Sequence, residues 1–285
     1  MNPAKAREAV GRIKEDRETF MLALWAFLRP TKLKMLFLAE WIIYVLIELA
    51  RGKLRTTHQL IVAGYPLIVF YLVGCTMVAL AGAPRRPPRW RYLLGMAALL
   101  VVSEQVVKAA VGAFIPWKAS VPIIPGWLHL AHVRNMRGSW LLAVLDIDWV
   151  SIGMLIAQCI IVLPCFVLGF LYYAARKRRS LWVDVALVSI VAGIGGALSD
   201  LSLRGYTLDF INLPGVTTAD LKDVFVYVGV AALFAEFLEN EVISLRWLGW
   251  RGELEHTRRL IGDFLAFSIE ELREIFRGGC RQKKL

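Results

Sequence analysis

The sequence predicts an all-α polytopic membrane protein of about six transmembrane helices, with a small strand-containing platform outside the bilayer. Three observations predict it. The mean hydropathy is +0.56 and 58% of the residues are hydrophobic, well above the share in ordinary soluble domains. Several apolar runs approach the roughly 20 residues that a helix needs to cross a bilayer core. One stretch, 113–149, is too polar for the membrane, is rich in Val, Ile, Trp and Leu, and is broken by Pro116, Pro122 and Pro125.

The net charge of +11 raises the question of nucleic-acid binding. The basic residues, however, cluster beside apolar spans, where positive charge fixes membrane orientation, so no nucleic-acid partner is expected. Cys75, Cys159 and Cys165 lie within apolar spans and Cys280 lies in the tail. Neither a zinc ligand spacing nor a disulfide framework is indicated. The tetrapeptide ending at Cys75, LVGC, looks like a lipoprotein cleavage box but lies deep in the chain and reads as helix filling. The first apolar run begins only at Phe20, after a long charged segment, unlike a cleavable signal.

In chain order, residues 1–30 mix Lys and Arg with Glu and Asp, then turn apolar from Phe20 to Leu28 and stop at Pro30. A helix lying on the membrane surface fits this pattern; so does a plain solvated helix. The first span is Leu33 to Leu49, with Glu40 and Glu48 inside it. The second, Leu60 to Leu80, follows the basic turn Arg51, Lys53, Arg55, and Pro66 is placed to kink it. The proline-stiffened basic loop from Pro84 to Arg91 is the clearest boundary in the chain. The third span, about Tyr92 to Val111, carries Glu104 and Lys108 at i, i+4, on one helix face, as an internal ion pair or as a pair lining a site.

Within 113–149, Trp127-Leu-His-Leu-Ala-His-Val133 partly alternates and predicts a short strand, and Asn135-Met-Arg-Gly138 reads as a turn. His129 and His132, three apart on a strand, point to opposite faces and make a poor metal pair. The fourth span is Val150 to Ala174, ended by Arg176 to Arg179. The fifth is Leu181 to about Leu198, where Gly193, Gly195 and Gly196 allow close backbone approach. A loop is expected over 202–219. The sixth span is Val224 to about Leu238. From Glu239 the chain is charged, with a helical apolar pattern at Leu260, Phe264, Phe267, Leu272 and Phe276, and reads as a cytoplasmic helical tail.

Lys and Arg set the orientation. The N-terminus, the 84–91 loop, the 176–179 loop and the tail fall on one side and all are basic, so both termini are expected in the cytoplasm. The 51–55 cluster alone dissents. The platform and the aspartate-bearing loop then share the outer face.

The stretch from Ala192 to Gly229 contains Asp200, Asp209, Asp220 and Asp223. Ionised carboxylates at a membrane edge are costly. Two brought together do not both ionise cheaply; one holds a shared proton and the other stays charged. Such a pair activates water and protonates a leaving amine. For Asp220 and Asp223 the plainer reading is helix capping.

From about Tyr92 to Leu238 the chain resembles lipoprotein signal peptidase, or signal peptidase II. That family's Asp-Gln-x-x-Lys element is matched by Glu104-Gln-Val-Val-Lys108, and its IPxIPGxLxLxxVxN platform by Ile115, Val121–Gly126, Leu128, Leu130, Val133, Asn135 and Gly138. Its GGxxGNxxDR stretch is similar to Ala192 through Leu201, its GYVVDF to Gly205–Phe210, and its FNxADxxxxxG to Ala219-Asp220-Leu-Lys-Asp223 with Gly229 beyond. The resemblance implies a four-helix membrane aspartic peptidase in the bacterial cytoplasmic membrane, with its active site at the outer face and no metal or cofactor. Asp209 and Asp223 align with the catalytic pair. Glu104, Lys108, Asn135, Arg137, Gly138, Asp200, Arg204 and Asp220 are implied around them or against substrate. The substrate implied is a diacylglyceryl-modified prolipoprotein, cut before its lipidated cysteine, among membrane lipids.

The departures are specific. Glu104 replaces an aspartate, Ala197 an asparagine, Leu201 an arginine, Ala219 a phenylalanine and Asp220 an asparagine. Met136-Arg137 and Ser139-Trp140 replace most of an NxGAAF run. An added Asp220 is expected to raise the pair's proton affinity, and Arg204 is a candidate replacement for the lost arginine. The chain divides into 1–90, a surface helix and two extra spans; 91–240, the peptidase-like core; and 241–285, a tail whose partner the sequence does not name. A non-catalytic member binding lipidated peptides or lipids is the alternative reading. A transporter using Glu40, Glu104 and Lys108 lacks the expected inverted repeat.

Overall fold

The computed structural model describes residues 18–138, 140–177, 179–240, 258–259, 261–270 and 273. The start of the predicted surface helix and most of the tail, including Leu260, Leu272 and Phe276, lie outside the described residues. Among the described residues up to Glu239, eight helices and four strands follow in order: α1 Glu18–Leu28, α2 Lys32–Ala50, α3 Thr57–Ala81, α4 Trp90–Phe114, β1 Ser120–Ile124, β2 Leu128–Asn135, α5 Trp140–Val144, α6 Ile152–Arg176, α7 Leu181–Arg204, β3 Thr207–Leu213, β4 Thr217–Ala219 and α8 Leu221–Glu239; residues 261–270 are also helical.

The helix starts are written locally. Thr31, Thr56, Ser151, Ser180 and Asp220 are N-caps whose side chains accept from backbone N–H groups of the first turn, satisfying donors that have no partner within the helix. Four helices, α3, α4, α6 and α7, are long and apolar enough to cross a membrane. The 19-residue helices α2 and α8 carry more charge, but much of it is turned inward. Lys34 is buried and its Nζ donates to the carbonyls of Phe27 at 2.6 Å and Arg29 at 2.8 Å, closing the end of α1. Buried Glu236 accepts from Tyr173 Oη at 2.5 Å and from Ser180 Oγ. Charge inside a span is tolerated when it faces protein and is paired.

Helix α7 is the centre of the bundle, packed by α4, α6 and α8. Glycines set the closeness predicted for this helix: a Cβ on Gly193 would lie 2.4 Å from Val226 of α8, and one on Gly229 of α8 would lie 2.6 Å from Ile190. One core joins α4, α6 and α7 through Leu93, Ala97, Phe170, Leu171, Leu187 and Ala192. A second joins α2 to α7 and α8 through Phe37, Trp182, Ala186, Ala231, Ala232 and Ala235. Tyr227 reinforces the second seam, donating to Phe37 O at 2.7 Å and accepting from Trp41 N at 3.0 Å. The two N-terminal helices are thus packed into the same body as the rest. In the tail, Phe264 and Phe267 meet the ring of Tyr172 edge-on, at 5.6 and 5.5 Å, docking the segment on the end of α6.

The strands form one antiparallel sheet in the order β1-β2-β3-β4. This corrects the expected boundary of the platform. The stretch 202–219, read as a loop, supplies the last turn of α7 and half of the sheet. The alternation in Thr207-Leu-Asp-Phe-Ile-Asn-Leu213 was masked because both faces of β3 are largely buried, so polar residues stand where an exposed strand face or an apolar run was sought. Helix α7 also runs six residues beyond its expected end at Leu198, and Gly205 at φ +71° closes it, a left-handed position that suits glycine.

Candidate active site

Helix α7, strand β3 and the start of α8 converge below the sheet. Because α7 continues to Arg204, Asp200 and Arg204 stand at i, i+4 on its last turn, and Arg204 Nη1 lies 2.7 Å from Asp200 Oδ1. The same guanidinium nitrogen donates to Gln105 Oε1 at 2.6 Å. Arg204 therefore pairs with Asp200 and Gln105, while Leu201 is buried.

Asp209 lies on β3 opposite Val133 of β2. Its Oδ2 accepts from Asn135 Nδ2 at 3.1 Å. Asn135 is itself held, because its Oδ1 accepts from the backbone N–H groups of Arg137 and Gly138, both at 3.1 Å. Gly138 sits at φ +66°, which makes that tight turn possible. The Arg137 guanidinium pairs with Asp148 at 2.7 Å and Asp146 at 3.4 Å, so Arg137 serves Asn135 through its backbone.

Asp220 and Asp223 open α8 as a reciprocal capping box. Asp220 Oδ1 accepts from Asp223 N at 3.2 Å, and Asp223 Oδ2 accepts from Asp220 N at 3.3 Å. The plain capping reading is realised, and the same two carboxylates reach the site. One oxygen from each of Asp209, Asp220 and Asp223 lie within 4.8 Å of one another. Asp223 is the open member, with its side chain 52% exposed, whereas Asp209 and Asp220 are buried.

A second triad, Glu104, Asp200 and Asp220, is equally close and fully buried. Its centre is Lys108, whose Nζ lies 2.5 Å from Glu104, 2.5 Å from Asp200 and 2.6 Å from Asp220. The i, i+4 spacing of Glu104 and Lys108 thus gives an ion pair that is also part of the larger cluster. Gly196 of α7 makes room for it, since a Cβ there would fall 2.6 Å from Glu104 Oε2.

Asp220 joins the two triads through a residue that sequence reasoning missed. Lys222 Nζ lies 2.5 Å from Asp220, 3.5 Å from Asp223 and 3.8 Å from Asp209. The available signal was positional: Lys222 stands where the element FNxAD has its alanine, beside the Asn-to-Asp change at 220. Gln105 was the other omission; its Nε2 donates to Asp200 Oδ1 at 3.0 Å.

Burial pushes the Asp209 carboxyl up to about 7; Lys222 opposes this, Asp220 and Asp223 add to it, and the Asn135 hydrogen bond opposes it. Burial acts on Asp220 in the same direction, but Lys222 and Lys108 outweigh it and hold that carboxyl below its ordinary range. A carboxyl that is half protonated near neutrality, beside an accessible second one, can give a proton to one atom while its partner takes one from water. His132 has a separate role, with Nδ1 2.9 Å from the Ile115 carbonyl.

Helices α2 and α3 reach the platform from the side. Tyr44 Oη donates to Val216 O at 3.1 Å and Gln59 Nε2 to Gly215 O at 3.0 Å, both in the β3–β4 turn. Trp140 Nε1 of α5 donates to buried Glu48 of α2 at 2.8 Å.

The family model described as "Signal peptidase (SPase) II" matches residues 96–239, half of the chain. The chain is 31% identical over 151 residues to the lipoprotein signal peptidase of Lactiplantibacillus plantarum, covering 50% of this chain and 94% of that one. It is 30% identical over 151 residues to that of Enterococcus faecalis, covering 51% and 87%, and 29% identical over 142 residues to that of Sinorhizobium fredii, covering 48% and 81%. The matched region begins within α4 and ends with α8, so it takes in both carboxylate triads, the sheet and the turn at Asn135. This chain belongs to the signal peptidase II family.

Proposed function

We propose that the chain is a bacterial membrane peptidase that removes signal peptides from lipid-modified prolipoproteins, and that it does so as an aspartic peptidase with Asp209 and Asp223 as the catalytic pair. The observation that carries the catalytic assignment is the convergence of these carboxylates from β3 and α8, one buried with a raised proton affinity and the other open. Water held between them loses a proton to the ionised carboxylate as its oxygen attacks the scissile carbonyl. The protonated partner gives its proton to the carbonyl oxygen. As the tetrahedral intermediate collapses, the carbon–nitrogen bond breaks and the amine of the lipidated cysteine leaves with a proton.

Asn135 fixes Asp209, and the Glu104–Lys108–Asp200–Asp220 cluster anchors the pair from below. The exposed apolar residues Val121, Ile123 and Ile124 of β1, with Trp117 and Trp127, suit a platform resting at the membrane surface among acyl chains. The distribution of Lys and Arg supports cytoplasmic termini and an outer-face site. The helices before α4 and the tail after α8 are additions to the peptidase core; the partner of the tail is not assigned.

The test is cleavage of a diacylglyceryl-modified prolipoprotein by purified protein in detergent, with Asp209→Asn run in parallel. Cleavage by the wild type alone is the expected result. Retained cleavage in both Asp209→Asn and Asp223→Asn would sink the mechanism. Substrate bound but uncut by the wild type would favour the non-catalytic reading.

A further inference from the structure

We propose that Lys222, anchored by Asp220, is a positioning cation that holds the Asp209–Asp223 pair in its one-proton form. This rests on the catalytic reading given above and adds to it a residue and its task.

Two neighbouring positions depart from FNxAD in opposite senses, Asp220 adding a negative charge and Lys222 a positive one, so the net charge at the mouth of α8 is unchanged. Their placement is not symmetric. Lys222 is 4% exposed, and its closest contact is Asp220 at 2.5 Å, with Asp223 and Asp209 at 3.5 and 3.8 Å. Asp220 is fixed by the Asp223 backbone N–H and by Lys108 at 2.6 Å. The ammonium is therefore tethered at one carboxylate while its charge faces the other two.

The charged groups around it come from every packed element: Asp209 from β3, Glu104 and Lys108 from α4, Asp200 and Arg204 from α7. Lys108 is already shared by Glu104, Asp200 and Asp220, and Arg204 faces Asp200. Lys222 is left as the cation directed at the proposed pair. Without it, two carboxylates beside buried Asp220 would favour taking up a second proton, and no base would remain to activate water. Lys222 and Asp220 act on Asp209 with opposite sign.

The experiment is the pH profile of prolipoprotein cleavage by the purified full chain in detergent. Lys222→Met is expected to move the profile, including its alkaline midpoint, upward by about one to two pH units, the usual effect of losing an opposite charge at this range. Asp220→Asn, which keeps a good N-cap, is expected to move it downward. The double variant Asp220→Asn/Lys222→Ala is expected to return close to the wild-type midpoint, and Lys222→Arg to keep it. Should Lys222→Met fail to fold, the Asp220→Asn, double and Arg variants decide the matter by themselves. Midpoints that stay put while only total activity changes would overturn the proposal and leave the catalytic pair standing. Cleavage that survives Asp209→Asn would instead overturn the catalytic pair and this proposal together.

Discussion

Helix α7 ends in buried charge at both extremities, and the two ends are built differently. At its start, Asp184 is held by Arg179 at 2.6 Å and Arg85 at 3.0 Å. Nearby, Glu236 and Glu239 of α8 accept from Tyr173, Ser180 and Trp182, and each carboxylate has its own donors. At the other end, Glu104, Asp200, Asp209, Asp220 and Asp223 gather around Lys108, Lys222 and Arg204. There the five acids share the three cations rather than each having donors of its own. A structural polar cluster satisfies each group; a cluster crowded with one sign of charge perturbs proton affinities, as acid–base chemistry requires.

The sharpest way to break this contrast is to remove the proposed pair. Asp209→Asn or Asp223→Asn is expected to lower prolipoprotein cleavage by at least about 10³-fold, measured by gel shift, while Asp184→Asn leaves a measurable rate. Next in size is Lys108→Met, which strands buried carboxylates and is expected to cost about 3–5 kcal/mol, read as loss of the folded species in detergent.

A third test separates stability from activity. Asp209 has a raised proton affinity in the folded chain, so the folded state retains a proton that the unfolded chain has released, and stability falls as pH rises from about 4 to about 7. Asp209→Asn removes that penalty. It is expected to melt higher than the wild type at pH 8, by on the order of 2–4 kcal/mol, with the difference vanishing below about pH 4. Equal melting at both pH values would contradict the burial argument. At the N-terminal end of α7, Arg179→Ala is expected to cost about 1–3 kcal/mol and leave the pH midpoint of cleavage unmoved. Smallest is Trp140→Phe, which loses the Glu48 hydrogen bond and about 1 kcal/mol, seen as a modest drop in melting temperature.

The long helices were legible because each is an apolar run bounded by caps or basic loops, and the run lengths and the boundary at 84–91 set them apart; the five-residue α5, inside the stretch read as platform, was not. The residues that meet at the C-terminal end of α7 were legible as short elements in order. Asp200, Asp209, Asp220 and Asp223 were each singled out, and the structure brings them together with Glu104 and Lys108. The extent of the sheet was not legible, because β3 is buried on both faces and carries Thr, Asp and Asn that are satisfied only once β2 and α8 are in place. Lys222 escaped for a related reason. A lysine between two aspartates at a span boundary looks like an orientation signal, and nothing local says that it turns inward.

The capping box at the start of α8 has a mechanical consequence. The backbone donors that Asp220 and Asp223 close belong to α8 itself, so the axis of α8 and the position of Asp223 move as one. Its 19 residues span about 28 Å and pack along α7, a helix long and apolar enough to cross a membrane. Any tilt of α8 against α7 would carry a carboxylate with it, so the packing of these two helices enters the geometry of the Asp209–Asp223 pair directly.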